Sequence, residues 1–195
     1  MLKLSVGNML DNLKKYKVVL ASNSPRRKEL LAGLGIDYEV KTLPDIDESF
    51  PGGLSEVETA TYIARAKADV YRNIMQSDEL IITADTIVWL DGEVMGKPVD
   101  EEDARRMLRA LSGKTHQVIT GVCLMTLDSQ KAFATVTDVT FCHLSEEEID
   151  YYVERYRPMD KAGSYGIQEW IGFVGVESIS GSYFNVMGLP IQRLY

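Results

Sequence analysis

The sequence predicts an α/β protein, and three observations carry that expectation. Apolar runs rich in β-branched residues alternate with segments whose apolar positions recur at helical spacing. Two Ser-x-x-Glu capping boxes, Ser55 with Glu58 and Ser145 with Glu148, mark helix starts between such runs. Asp91-Gly92, directly after the apolar stretch LIITADTIVWL, reads as a two-residue hairpin turn.

Taken in order, Tyr16 to Ala21 (YKVVLA) is expected to be a buried strand feeding a helix from Ser24 to about Leu34. Ser24 supplies the N-cap and Pro25 the first helical position, and Gly33 and Gly35 stop it. Residues 36–43 (IDYEVKTL) alternate and suggest a second strand, followed by an acidic, turn-rich stretch from Pro44 to Gly53. The Ser55 box opens a long helix expected to reach about Met75, with Ala60, Ile63, Ala64, Ala68 and Ile74 among its apolar positions. Leu80 to Leu90 is a buried strand. Asp100 caps a helix whose Ala104, Met107, Leu108 and Leu111 share one face, and Gly113 ends it. Two long strands are expected at about 116–127 and 131–144, then a helix from Ser145 to about Arg155. The tract from Asp160 to Pro190 is glycine-rich and irregular, with room for short strands.

A chain of 195 residues suits a single domain, expected here over 16–195 behind an N-terminal extension of residues 1–15. The net charge of −8 argues against a nucleic-acid binder, which needs a basic face to displace counterions, but leaves room for a small anion in a local basic pocket. Cys123 and Cys142 are the only cysteines and form no CxxC pair, which argues against zinc and against a disulfide scaffold. The start, MLKLSVGNMLDNLKKYK, lacks a continuous apolar signal region, and no run of 18 apolar residues exists. The expectation is a soluble cytoplasmic protein with no membrane partner.

Several residues sit where structure alone would not put them. Arg26, Arg27 and Lys28 occupy the first turn of a helix, where the dipole is positive and carboxylates are preferred. An anion at that helix start would resolve the conflict, because free backbone N–H groups, the Ser22 and Ser24 hydroxyls and two guanidiniums would converge on it. The alternative is a surface helix whose basic side chains bend into solvent. Asp85 interrupts a run that should be buried, so it needs a partner or a metal; a strand-end Asp bonded to backbone is the alternative. Thr86 beside it is either a ligand contact or an ordinary strand threonine. Lys97, in MGKP, is presented by a segment that Gly96 lets approach closely and Pro98 stiffens. Lys67 lies among small residues on the long helix, and Glu48 belongs to an acidic loop able to hold a hard cation. Gly113-Lys114-Thr115 imitates the end of a P-loop, but Leu108 stands where the first glycine is required, so that reading is rejected. His116 and His143 lack metal-ligand spacing and are read as structural. Together these residues ask for one polyanion. Arg26, Arg27, Lys67 and Lys97 would hold it, Asp85 and Glu48 would carry a cation, and four cations suit a triphosphate better than a single phosphate.

The segments ASNSPRRKELL, DIDES, ARAKA, TADTIV, GKP, LSGKTHQVITGV, DKAGSYGIQ and GSYFNVMGLP occur in the order seen in the Maf family, and the sequence resembles that family over about residues 17–191. The resemblance implies a fold like that of the ITPases, with an elongated mixed sheet flanked by helices and a cleft between two lobes. It also implies dependence on a divalent metal, Mg²⁺ or Mn²⁺, and hydrolysis of nucleoside triphosphates between the α- and β-phosphates. DKAGSYGIQ resembles the subgroup acting on dTTP and UTP. By the same resemblance Asp85 is the catalytic acid, described as proton acceptor, and Glu48 matches another polar cleft residue; with the cation reading above, Asp85 and Glu48 are the expected metal ligands. Lys67 and Lys97 become catalytic cleft residues, and Arg26, Thr86 and Gln168 match positions tied to substrate choice. A family long linked to septum formation also leaves open a nucleotide-binding regulator without turnover, an enzyme that clears modified pyrimidine nucleotides, and a homodimer.

Overall fold

A computed structural model describes residues 10–195 of the chain. Its centre is a mixed sheet of seven strands flanked by helices. In chain order the strands are β1 (Lys17–Leu20), β2 (Glu39–Val40), β3 (Glu79–Leu90), β4 (Glu93–Met95), β5 (Thr115–Met125), β6 (Gln130–Phe141) and β7 (Val176–Ser180). The helices are α1 (Pro25–Ala32), α2 (Glu56–Asp69), α3 (Glu101–Leu111), α4 (Glu146–Tyr156), α5 (Trp170–Gly175), α6 (Tyr183–Met187) and α7 (Ile191–Leu194). Strand order is β2-β1-β3-β5-β6-β7, with β4 beside β3. β1 runs parallel to both β2 and β3, and every other pair is antiparallel.

The two parallel crossovers place α1 and α2 on opposite faces. Leu31 of α1 packs with Leu20, Ile82 and Ala84, whereas Ala64 and Ala68 of α2 pack with Val19, Ile81 and Cys123. A third cluster joins α3 and α4 to the far ends of β3, β5 and β6 through Val88, Leu108, Phe141 and Tyr152. The long strands β3, β5 and β6 therefore run through two lobes, each with its own apolar core.

One edge of β3 is shared unequally. β1 pairs with it from Glu79 to Ile82, and β4 pairs with it from Val88 to Leu90. Between them, residues 83–87 have no strand partner on that edge among the described residues, while β5 covers the other edge throughout. The Ile82 carbonyl accepts the Ala21 N–H at 2.9 Å, so the two-residue period of a strand turns the backbone groups of Ala84 and Thr86 toward the same open edge. The gap lies just beyond the carboxyl end of β1, where the flanking crossovers diverge, which is where open α/β sheets form crevices.

Local signals read from the sequence account for most boundaries. Both capping boxes form, with reciprocal bonds at Ser55/Glu58 and Ser145/Glu148. Asp91 and Gly92 take φ of 52° and 91°, the backbone a tight two-residue hairpin between β3 and β4 requires. Three expectations need correction. The strand expected at 36–43 shrinks to two residues, which pair with Val19 and Leu20, and it stops where β1 ends. The helix expected to reach Met75 ends at Asp69. Tyr71 turns inward and donates its hydroxyl to the Lys41 carbonyl at 2.9 Å, leaving Ile74 47% exposed instead of on the buried face. The tract from Asp160 onward forms one strand and several short helical turns, not a series of short strands. Residues 1–9 of the expected N-terminal extension lie outside the described residues. No helix among the described residues is long and apolar enough to cross a membrane.

His116 on β5 is structural, as expected. It is 1% exposed, packs edge-on against Phe141 and Tyr165, and shares a 2.7 Å hydrogen bond between Nε2 and the Tyr165 hydroxyl. Burial pushes it down to about 4, against 6.5 when unfolded. The unfolded chain thus binds the extra proton first, and this stabilisation is present above pH 6.5 and lost as pH falls toward 4. Denaturant unfolding at pH 7 and pH 5 should therefore show a loss of about 2 kcal/mol from this group, absent from His116→Gln; equal losses in both proteins would contradict it.

Candidate active site

The gap in β3 opens into a cleft of about 830 Å³, a size suited to a small-molecule ligand. Its walls include every residue assigned from the sequence to the ligand or its cation: Ser22, Ser24, Arg26, Arg27, Glu48, Lys67, Asp85, Thr86, Lys97 and Gln168. They come from the β1–α1 turn, the first turn of α1, the acidic loop before α2, α2 itself, the open stretch of β3, and loops from the far lobe.

Alternation along β3 sends Asp85 and Thr86 to opposite faces of the sheet, so the cleft wraps around the strand edge. On the α2 face, Thr83 donates to the Ala64 carbonyl at 2.6 Å and Ile87 packs with Ala60 and Ile63. Asp85, between them, receives the Lys67 ammonium at 2.6 Å. The same ammonium meets Glu48 Oε1 at 2.8 Å, and Lys97 Nζ stands 3.9 Å from Glu48 Oε2. The Lys67 and Asp85 side chains are each 13% exposed, whereas Lys97 is 59% exposed. A rigid, nearly buried carboxylate is thus held by one buried cation, with a second, freer cation a short distance away.

On the opposite face, Arg27 is bound to the protein itself. Its Nε donates to the Gly188 carbonyl at 2.8 Å, Nη1 to Ser22 Oγ at 3.4 Å and Nη2 to Thr86 Oγ1 at 3.0 Å. Desolvation lowers its pKa from the usual arginine value; Asp85 and Glu48 oppose that shift and Arg26 adds to it. Thr120 donates its hydroxyl proton to the Asn185 carbonyl at 2.9 Å, so the 2.9 Å contact between Thr86 and Thr120 must use the Thr86 proton. Thr86 therefore accepts from Arg27 and donates to Thr120, a chain that ties α1 to β3, β5 and α6. Both residues line the cleft, and their hydrogen bonds make them its frame.

Arg26 points across the cleft, its Nη1 3.6 Å from Asp160 Oδ2. Burial pushes the Asp160 carboxyl up, but the hydrogen bond and charge of Lys161, with the charge of Arg26, outweigh it and hold the group below the usual range. Gln168 brings a buried Oε1 that has no hydrogen-bond partner among the described residues. Ser24 caps α1 by accepting the Arg27 N–H, and Ser22 Oγ accepts the Ser24 N–H at 3.3 Å. Of the three cations at the start of α1, two face the cleft; Lys28 lies outside its lining.

Sequence reasoning missed Gly121, the partner of Asp85 across the β3–β5 ladder. A Cβ at 121 would lie 2.1 Å from the Ala60 carbonyl oxygen, so only glycine lets α2 come close enough for Lys67 to reach Asp85. It also missed Asp160, Lys161, Glu169 and Tyr152, which brace the wall holding Gln168.

A crevice that gathers cations beside one fixed carboxylate defines an α/β protein built for polyanion chemistry. The family model described as Maf-like protein matches residues 17–195, and the chain belongs to the Maf family. The dTTP/UTP pyrophosphatase of Phocaeicola vulgatus is 72% identical over 96% of this chain and 97% of its own length. The protein of that name from Bacteroides thetaiotaomicron is 66% identical over the same shares. A solved HAM1 protein from Coxiella burnetii shows a remote likeness, at 21% identity and a TM-score of 0.40 over 65% of this chain and 73% of its own.

Gly121→Ala should destabilise the fold by roughly 1–3 kcal/mol through overpacking of α2 against β5. Urea denaturation measures it, and wild-type stability would mean that α2 does not depend on this close approach.

Proposed function

We propose that the protein hydrolyses nucleoside triphosphates between the α- and β-phosphates, with dTTP and UTP as substrates, releasing the monophosphate and pyrophosphate. The observation that carries this reading is the Asp85–Lys67–Glu48 constellation at the open edge of β3, with Lys97 beside Glu48, in a cleft of nucleotide size that Arg26 also lines. The names borne by relatives of 72% and 66% identity agree with it.

Two carboxylate oxygens already converge on one positive centre, Lys67 Nζ, at 2.6 and 2.8 Å. That donor set suits Mg²⁺ or Mn²⁺, which are bound through one or two carboxylates together with substrate phosphates. No group of three or more His, Cys, Asp or Glu able to hold a metal ion exists among the described residues, so the remaining ligands of such an ion would be phosphate oxygens and water. When bound by Asp85 and Glu48, the ion supplies charge neutralisation and a more acidic water.

Asp85 orients the attacking water or takes its proton, held still by a strand paired along its other edge. Water adds to the α-phosphorus, the bond from that phosphorus to the α–β bridging oxygen breaks, and the electron pair departs with pyrophosphate. Lys67 and Lys97 neutralise that growing charge, a pre-arranged electrostatic effect. The first turn of α1, with Ser22 and Ser24, offers further donors.

The unpartnered Oε1 of Gln168 supports a base with an N–H at that point. An orphaned buried acceptor costs about 1–3 kcal/mol, and a ligand donor relieves it. Thymine and uracil present N3–H there, whereas cytosine presents an acceptor. 5-Methyl-UTP and pseudo-UTP keep an N3–H edge and belong in the substrate panel. Both cysteines are free, in keeping with a reducing, cytoplasmic setting.

Asp85→Asn keeps the size of the side chain and removes its charge. Steady-state release of pyrophosphate from dTTP should show kcat at least ~10²-fold lower, and near-normal turnover by the folded variant would refute the mechanism. Gln168→Ala should narrow the kcat/KM preference for dTTP over dCTP by about tenfold. An unchanged preference would move base reading to another residue.

A further inference from the structure

Beside Gln168 lies an ionic chain that the chemistry above uses only at its Arg26 end; its middle, Lys161, is buried, while Asp160 is exposed. Arg26 Nη1 faces Asp160 Oδ2 at 3.6 Å, and Asp160 Oδ1 accepts from Lys161 Nζ at 2.7 Å. Lys161 also meets Glu169 Oε1 at 3.2 Å. The other Glu169 oxygen accepts the Tyr152 hydroxyl, whose own oxygen accepts the Gly166 N–H at 3.0 Å. Lys161 is 8% exposed and Tyr152 is fully enclosed. The loop packs directly on this chain, because a Cβ at Gly166 would lie 2.8 Å from Glu169 Cδ and 3.1 Å from Lys161 Cε.

A buried ion pair adds little net stability against an apolar pair of similar volume, but it accepts few geometries. The loop needs such a constraint. Ser164 takes φ of 60°, a left-handed conformation that a non-glycine residue holds only where its surroundings enforce it. Gln168 directly precedes Glu169, whose N–H closes the turn on the Gly166 carbonyl at 2.9 Å. The two cleft side chains that reach this wall, Arg26 and Gln168, are attached to opposite ends of one chain whose middle is Lys161.

We propose that Lys161 is a positioning residue for substrate choice. Clamped between Asp160 and Glu169, it fixes the wall from which Gln168 reads the pyrimidine edge, and it acts through Gln168. This rests on the reading of Gln168 as a base-contacting residue.

The test is a double-mutant cycle of Lys161→Met with Gln168→Ala, measuring kcat and KM for dTTP and dCTP. Lys161→Met should reduce the dTTP/dCTP preference about tenfold, mainly through a higher KM for dTTP, the size of effect expected when one recognition hydrogen bond is misplaced. In the Gln168→Ala background the same change should lower the preference by less than about twofold. Losses that simply multiply would overturn the proposal, since Lys161 would then act independently of Gln168. If Gln168→Ala loses the preference while Lys161→Met keeps it, the clamp alone is refuted. If Gln168→Ala keeps it, the base reading fails and takes the clamp with it. Tyr152→Phe, which removes only the hydroxyl between Glu169 and Gly166, carries the same expectation and replaces Lys161→Met should that variant not fold.

Discussion

Lys67 and Asp85 meet at 2.6 Å between α2 and the sheet, and the arrangement of the cleft follows from what that contact demands. A carboxylate inside a long apolar strand is tolerated only if a cation reaches it, since burying an isolated charge is far too costly. The cation comes from a helix packed on the sheet, so the helix must lie unusually close. Ala60, Ala64 and Ala68 on α2 and Gly121 on β5 remove the atoms that would hold it away. Pairs of this kind contribute little to stability, which leaves chemistry as the reason to keep one. Glu48 then joins the same ammonium from a loop, making the acidic stretch before α2 part of the site.

The second constraint is topological. β1 is short and ends at Leu20, β4 begins its pairing at Val88, and the strand between them is exposed along one edge. Because side chains alternate along β3, Asp85 and Thr86 serve different faces of the same opening. The Asp85 face carries the paired charges proposed for the reaction. The Thr86 face carries a chain of neutral and cationic donors, Arg27 to Thr86 to Thr120 to the Asn185 carbonyl, which ties the first helix to the C-terminal segment. The paired charges and the scaffold are thereby separated by the thickness of one strand.

Much of this was legible in the residues, for identifiable reasons. Asp85 declared itself by its incompatibility with an apolar run, and Arg26 and Arg27 by their place at the wrong end of a helix dipole. Capping boxes and the Asp-Gly turn are local chemistry, and they folded as read. Where the reading failed, a distant partner decided. The length of β2 depends on where β1 stops, and the end of α2 depends on Tyr71 finding the Lys41 carbonyl. The division of labour between Arg26 and Arg27 was equally hidden, because adjacent arginines look alike until Gly188 and Thr86, more than fifty positions away, take up one of them. Gly121 is one glycine among 15, and only the packed helix above it shows what it does.

If phosphate chemistry takes place along the open edge of β3, a crystal structure with Mn²⁺ and a dTTP analogue whose α–β bridging oxygen is replaced by nitrogen will show it. The α- and β-phosphates should lie over residues 83–87 beside Asp85, with Lys67 and Lys97 on the phosphate tail and the base against Gln168. A nucleotide seated elsewhere, or phosphates directed away from Asp85, would contradict it.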